Sequence, residues 1–209
     1  MNYKFIDIGC GMHSVSSDIF GTEVKGIYVE PIKEYLDILL SGKNIRKECC
    51  VISDKEGLLY FNAVVANNPK YYSQKKFEYV YNNTSLSNYY AHKYDGSGQS
   101  SLEVKHPLSK KIKVKSVTLE NFFKKYNVTS VDYLKIDVEG HEEVVLNQLI
   151  DLLLNKKIKI NTELKFEYNK LSDLKKLDVL TNKICEILGF ESRFNHHIYD
   201  EDMILTKKQ

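Results

Sequence analysis

Arginine is nearly missing from this chain of 209 residues, where only Arg46 and Arg193 occur. Forked guanidinium contacts are the commonest means of reading guanine or clamping phosphates, so the shortage argues against a nucleic-acid reader. The charge balance agrees: 30 Lys+Arg against 28 Asp+Glu leave a formal net charge of +2, too even for a chain whose main partner is a polyanion. Cysteines at metal-site or redox spacing are also missing. Cys10, Cys49, Cys50 and Cys185 contain no C-x-x-C, and the adjacent Cys49 and Cys50 are poorly placed to bridge each other, so reduced, mostly buried thiols are expected. No apolar run reaches the roughly 18 residues of a spanning helix, and the N-terminus enters a strand directly, which predicts a cytoplasmic chain without a membrane span. A G-x-x-x-x-G-K-[ST] loop is absent, which excludes a P-loop NTPase, and so are internal repeats, heptads and low-complexity tracts.

What the chain does have begins at its first strand. Phe5-Ile6-Asp7-Ile8 breaks into Gly9-Cys10-Gly11, and a second apolar run stops on Glu30 followed by Pro31. A glycine turn at a strand tip lets backbone N–H groups approach a ligand, and an acid about 20 residues later can accept hydrogen bonds from a ribose diol. Dinucleotides and S-adenosylmethionine both carry such a ribose. The third glycine of G-x-G-x-x-G, which serves the pyrophosphate, is replaced by Ser14, which favours the cofactor without a pyrophosphate. A tight strand-to-helix turn with no ligand is the plain alternative.

Strands and helices then alternate. Ile32, Tyr35, Leu36, Leu39 and Leu40 recur at helical spacing before Gly42, and Cys49 to Ile52 reads as a third strand ending at Ser53-Asp54. Leu58 to Phe61 follows as a short strand. Thr118 suits the N-cap of a short helix, Val131 to Asp137 is the fourth main strand, His141 to Leu154 a helix, and Ile158 to Leu164 the fifth strand. An amphipathic helix from Leu174 closes at Gly189, and Phe190–Phe194 with Met203–Thr206 predict a closing hairpin. The result is one α/β domain over 1–209, with a doubly wound, mainly parallel seven-stranded sheet and a C-terminal antiparallel hairpin. Residues 62–115 break the pattern: they hold seven of the 15 tyrosines and many asparagines. Such a segment reads as an inserted acceptor-binding or lid region, with flat rings for sugar faces and amides for hydroxyls, or else as a polar surface insertion.

In such sheets ligands bind beyond the carboxyl ends of the strands, where strand order reverses. Asp7 to Gly11, Glu30, Ser53-Asp54, Asp137 to His141 and Glu163 are expected there. Lys135 shares a strand face with Asp137 and, if buried, needs an acidic partner. A structural ion-pair network would account for these charges without chemistry. His196 and His197 beside the acids 200–202 read as a solvated turn.

Lys135-Ile136-Asp137-Val138-Glu139-Gly140-His141-Glu142 resembles the K-[IV]-D-[VI]-E-G-x-E block of the FkbM-type S-adenosylmethionine-dependent methyltransferases. Asp7-Ile8-Gly9 resembles the family's D-V-G opening, Glu30-Pro31 its E-P pair, Ser53-Asp54-Lys55-Glu56-Gly57 its S-D-x-x-G segment, Ser100-Ser101-Leu102 its serine-rich stretch, and Thr118-Leu119-Glu120 its T-L-D element. Gly11 and His13 depart from the family's D-V-G-A-N-x-G, which puts His13 beside the cofactor's amino-acid end; only Met1 to Lys4 precede the first strand, as in a domain cut from a longer protein or one whose pocket is less covered than is usual in the family.

The resemblance implies methyl transfer from S-adenosylmethionine to an oxygen, on a sugar of a glycan or glycoconjugate, with a glycosyltransferase as fused or neighbouring partner. Asp7, Gly9, Cys10, Gly11, His13, Glu30, Pro31, Ser53 and Asp54 would hold the cofactor. Asp137 or His141 would take the hydroxyl proton, with Lys135 tuning the carboxylate. Methyl donation needs no metal; the less favoured alternative has Asp137, Glu139 and Glu163 holding Mg²⁺ to acidify the hydroxyl. A nicotinamide oxidoreductase, disfavoured by Ser14, and a catalytically silent cofactor- or glycan-binding domain are the competing functions.

Overall fold

The computed structural model describes residues 1–12, 14–63, 110–168, 172–196 and 201–208. Its central sheet is built from β1 (Asn2–Ile8), β2 (Gly26–Val29), β3 (Ile45–Glu48), β7 (Ser130–Ile136), β8 (Lys159–Glu167), β9 (Phe190–His196) and β10 (Glu201–Lys207). They lie in the order β3-β2-β1-β7-β8-β10-β9. The neighbours from β3 to β8 are parallel, and β10 runs antiparallel to both β8 and β9. The expected seven-stranded α/β sheet with its closing hairpin is therefore present. The chain walks outward from β1 to β3 and later resumes on the other side of β1, so strand order reverses between β1 and β7.

The buried strands are apolar on both sides because both faces are covered. Ile6, Ile8, Leu134, Ile136, Leu164 and Phe166 join one large core with helices α3 (Leu119–Lys125), α4 (Glu142–Leu154) and α5 (Leu174–Leu188). Phe5, Tyr28 and Tyr133 point the other way and pack with Phe20 of α1 (Val15–Phe20) and Leu36 of α2 (Lys33–Ile38). Each fully buried Leu or Ile side chain contributes about 1.5–3 kcal/mol before chain entropy is set against it. Helix ends follow the predicted chemistry. Thr118 Oγ1 accepts from the Asn121 amide, Asp173 accepts from the Lys175 and Lys176 amides, and Gly189 closes α5 in the left-handed region at φ 67°.

Two expectations are corrected. The third strand of the main sheet is Ile45–Glu48, not Cys49–Ile52. An edge strand exposes part of its surface, so buried Ile45 and Glu48 flank the polar pair Arg46-Lys47 and the apolar signal is weak. Val51–Ile52 is instead β4 of a second sheet, ordered β4-β6-β5, with β5 at Gly57–Ala63 and β6 at Lys110–Val117. The segment expected to lack regular structure from 62 to 115 thus has both ends in antiparallel strands, and 64–109 lies outside the described residues. Phe61, Ala63 and Val114 of the small sheet pack on Ile32, Tyr35 and Val51, against which Met12 also rests. The four cysteines are free, with Cys49 exposed. Among the described residues no helix is long and apolar enough to cross a membrane.

Candidate active site at the strand tips

At the reversal point the tips of β1 and β7 almost touch. Gly9 adopts φ 76°, and a Cβ built there would lie 1.7 Å from the Asp137 carbonyl oxygen. Only glycine permits that approach, and the ladder continues past it through the Asp137 amide to the Ile8 carbonyl at 2.9 Å. Gly11 is different: its φ is 59°, and a Cβ there would meet nothing within 4 Å among the described residues. One glycine closes the backbone against a neighbouring strand, and the other leaves a backbone face open to a ligand.

Glu30 holds this loop. Its Oε2 accepts from the Gly11 amide and its Oε1 from the Ile32 amide, both at 2.9 Å, while the residue is only 5% exposed. Burial pushes its carboxyl up to about 7 despite the opposing pull of those two amides. Each carboxylate oxygen keeps a further lone pair for a hydroxyl donor. Asp7 has no exposed surface and braces the loop from beneath, accepting from Ser14 Oγ at 2.5 Å and Ser16 Oγ at 3.0 Å. Ser14, which first signifies a missing glycine, is thus the hydroxyl that anchors the start of α1. Cys10 is buried with its thiol toward the Val29 carbonyl at 3.5 Å, and burial first, then Asp7 and Glu30, hold it well above the usual thiol range. Pro31 is half-buried, its carbonyl accepting from the Cys49 thiol at 3.5 Å; His13 lies outside the described residues.

Across the cleft, Lys135 finds its acidic partners. Its Nζ lies 2.8 Å from Asp137 Oδ2 and 3.6 Å from Asp7 Oδ1. Burial alone would depress the ammonium, but Asp137 and Asp7 overcome it and hold Lys135 well above the ordinary lysine value. The Asp137 side chain stays 32% exposed, so this carboxylate is fixed by Lys135 on one side and open on the other. The following turn carries Glu139 at φ 52° and Gly140 at φ 99°. Glu142, fully buried, accepts from the Val138 amide at 2.9 Å, the Gly140 amide at 3.0 Å and Ser172 Oγ at 2.7 Å. Its role exceeds the helix-dipole preference expected of an acid in the first turn. His141 caps the same helix with its ring buried and Nε2 3.3 Å from Ser53 Oγ; that hydroxyl in turn donates to Asp54 Oδ1 at 3.2 Å.

Of the three acids considered as metal ligands, Glu163 stands apart from Asp137 and Glu139. Glu163 faces Tyr133 well down the strand, because β8 runs on to Glu167 rather than stopping at Leu164. Asp137, Glu139 and Glu167 are the acids that gather, each offering an oxygen within 4.8 Å of the others. Three convergent oxygens suit a hard divalent cation. As the side chains stand, burial and then the charges of Asp137 and Glu139 push the Glu167 carboxyl well up from its ordinary value. Extending the Leu164-Lys165-Phe166 alternation by one residue would have found it.

The family model described as Methyltransferase FkbM domain matches residues 9–206. The chain belongs to that family. No curated protein and no solved structure gives a significant match. The matched span of this FkbM-family methyltransferase contains Gly9, Glu30, Ser53, Lys135, Asp137 and Glu142, the residues whose contacts define the cleft. S-adenosylmethionine is the usual methyl donor of methyltransferases, and the chain offers what such a group needs: an open backbone face at Gly11, spare acceptor capacity on Glu30, and acids that suit its positive charge.

Proposed function

We propose that this protein is an S-adenosylmethionine-dependent O-methyltransferase whose acceptor is a hydroxyl of a sugar in a glycan or glycoconjugate. The observation that carries the reading is the pairing, at the adjacent β1 and β7 tips, of a glycine loop with open space at Gly11 among the described residues and a lysine-held Asp137 carboxylate that stays 32% exposed. S-adenosylmethionine supplies a methyl group activated by its sulfonium.

The chain's own residues do the rest. Gly11 and Glu30 receive the nucleoside end, with Pro31, Cys10, His13, Ser53 and Asp54 forming the surrounding wall. Asp137 accepts the proton that leaves the acceptor hydroxyl as its oxygen bonds to carbon, a contribution of roughly 10²- to 10⁴-fold for a placed base. Lys135 fixes the carboxylate's position. His141, the other candidate, is 6% exposed and engaged with Ser53, so it serves better to position the β4 tip. Holding donor and acceptor in line is worth about 7–11 kcal/mol, which makes positioning the larger part of the catalysis. The 62–115 segment is proposed to supply the acceptor wall, its tyrosines and asparagines matching the faces and hydroxyls of a pyranose.

Calorimetry with S-adenosylhomocysteine and with NAD, followed by labelled methyl transfer to a panel of glycans, tests this. Binding of the first ligand alone, with label incorporated at an oxygen, is expected. Preference for NAD would move the protein to the oxidoreductases, and cofactor binding with no turnover on any acceptor would make it a silent domain.

A further inference from the structure

The small sheet has two unlike faces. Its inner face is committed to the core through Phe61, Ala63 and Val114. Its outer face carries Lys111, Lys113 and Lys115 on alternate positions of β6; Lys113 and Lys115 pair across β5 with exposed Tyr60 and Leu58, while Lys111 pairs with Asn62, which is buried. Alternate residues on one strand stand roughly 7 Å apart, so three ammonium groups line a nearly flat strip. Beside them Leu58 is 70% and Tyr60 61% exposed.

Like charges at this spacing repel, and little in the described residues relieves them. Lys115 shares Glu48 with Lys125, whereas Lys111 and Lys113 lean over the Tyr60 ring at 5.7 and 5.8 Å, with no acid at ion-pair distance among the described residues. The stretch 64–109 is no natural counterion, since Lys70, Lys75, Lys76, Lys93 and Lys105 outnumber Glu78, Asp95 and Glu103. A near-neutral chain has concentrated positive charge next to Leu58, the most exposed aliphatic side chain among the described residues.

From this juxtaposition we propose that the outer face of the β5–β6 pair docks on an anionic lipid surface. Lysines supply point-charge attraction to acidic head groups, Tyr60 is amphipathic at the level where such rings settle, and Leu58 reaches furthest outward. Nucleic acid is a poorer fit, because lysine lacks the forked geometry for phosphate or guanine and a single ring offers no stacking platform. The inference is independent of the methyl-transfer reading.

Sedimentation of the full chain with vesicles tests it, using phosphatidylcholine alone and the same lipid with 30% phosphatidylglycerol, a fraction of roughly the anionic content that generates a surface potential. Binding to the anionic vesicles only, weakened by salt, is expected. K111E/K113E should lower the partition by at least about 25-fold, at roughly fivefold per lysine. L58S/Y60S should lower it without changing net charge. The control K175E/K183E, on the exposed side of α5 and equal in charge change, should leave it intact; thermal midpoints of all variants verify folding. Failure to sediment with anionic vesicles, equal loss in the control, or unchanged binding in L58S/Y60S accompanied by equal affinity for RNA would each overturn the proposal.

Discussion

Glu30 offers the sharpest test of how the site is built. Its carboxyl stands at about 7 in the fold against 4.5 when free, because burial disfavours its charge more than two backbone amides favour it. An acid whose value rises on folding is bound to its proton more tightly in the native state, so stability falls as pH rises between those two values. Below about 4.5 neither state is charged and there is no penalty; above about 7 the full penalty, about 3 kcal/mol at 1.36 kcal/mol per tenfold, has accumulated. Replacement by Gln removes the titration, and its NH₂ cannot accept from both Gly11 and Ile32, so Glu30→Gln should cost about 1–3 kcal/mol at low pH through one unsatisfied amide. The difference between wild type and variant should therefore shrink, and can reverse sign, on going from pH 5 to pH 8. Urea denaturation of both proteins across that range measures it. Other titrating groups cancel in the comparison, so parallel stability curves would refute the argument that Glu30 is strained by burial.

Gly9→Ala should cost about 3–5 kcal/mol, since a methyl would collide with the Asp137 carbonyl in a left-handed backbone, whereas Gly11→Ala, with open space, should cost only about 1–2 kcal/mol yet weaken cofactor binding; thermal midpoints and calorimetry separate the two. Glu142→Ala leaves the Val138 and Gly140 amides without their acceptor and should destabilise by about 2–5 kcal/mol in chemical denaturation. For Asp137→Asn a fall in kcat of roughly 10²- to 10⁴-fold is expected with cofactor affinity largely kept, and near-normal turnover would dismiss Asp137 as the base. Methyl transfer should survive exhaustive dialysis against a chelator, because Lys135 already partners Asp137; loss of activity restored by Mg²⁺ would bring that acidic cluster into the reaction.

The parallel strands and the later helices were legible because each satisfies one physical demand over its whole length. β1, β2 and β7 are buried on both faces and read as apolar runs, while α4 and α5 repeat at helical period, and Gly189 closes α5 in the left-handed conformation. β3 and β6 were missed for the opposite reason. Each has a face toward solvent, and in β6 that face is lysine at alternate positions, so buried Val114 and Ser116 are too few to announce a strand. The boundary of β8 failed through its charge, since Glu163, Lys165 and Glu167 occupy a polar face and the apolar count ends early, which misplaced one member of the acidic group.

The site was legible as a set of positions and less so as a set of contacts. Residue spacing predicts that Lys135 and Asp137 share a face, but not that Asp7, buried one strand away, is the second acid against the same ammonium. Nor does it reveal that the run 135–142 divides by exposure. Lys135, His141 and Glu142 are buried and spend their polar atoms on the turn, on Ser53 and on Asp7, whereas Asp137 and Glu139 remain partly exposed. Lysine from below, glutamate at the turn's amides and Gly9 behind its carbonyl fix the backbone and side chain of one residue from three directions. On the proposed O-methyl transfer, a carboxylate constrained to that degree would direct the incoming hydroxyl, while the apolar side chains of β1, β7 and β8 with the later helices supply the core of the fold.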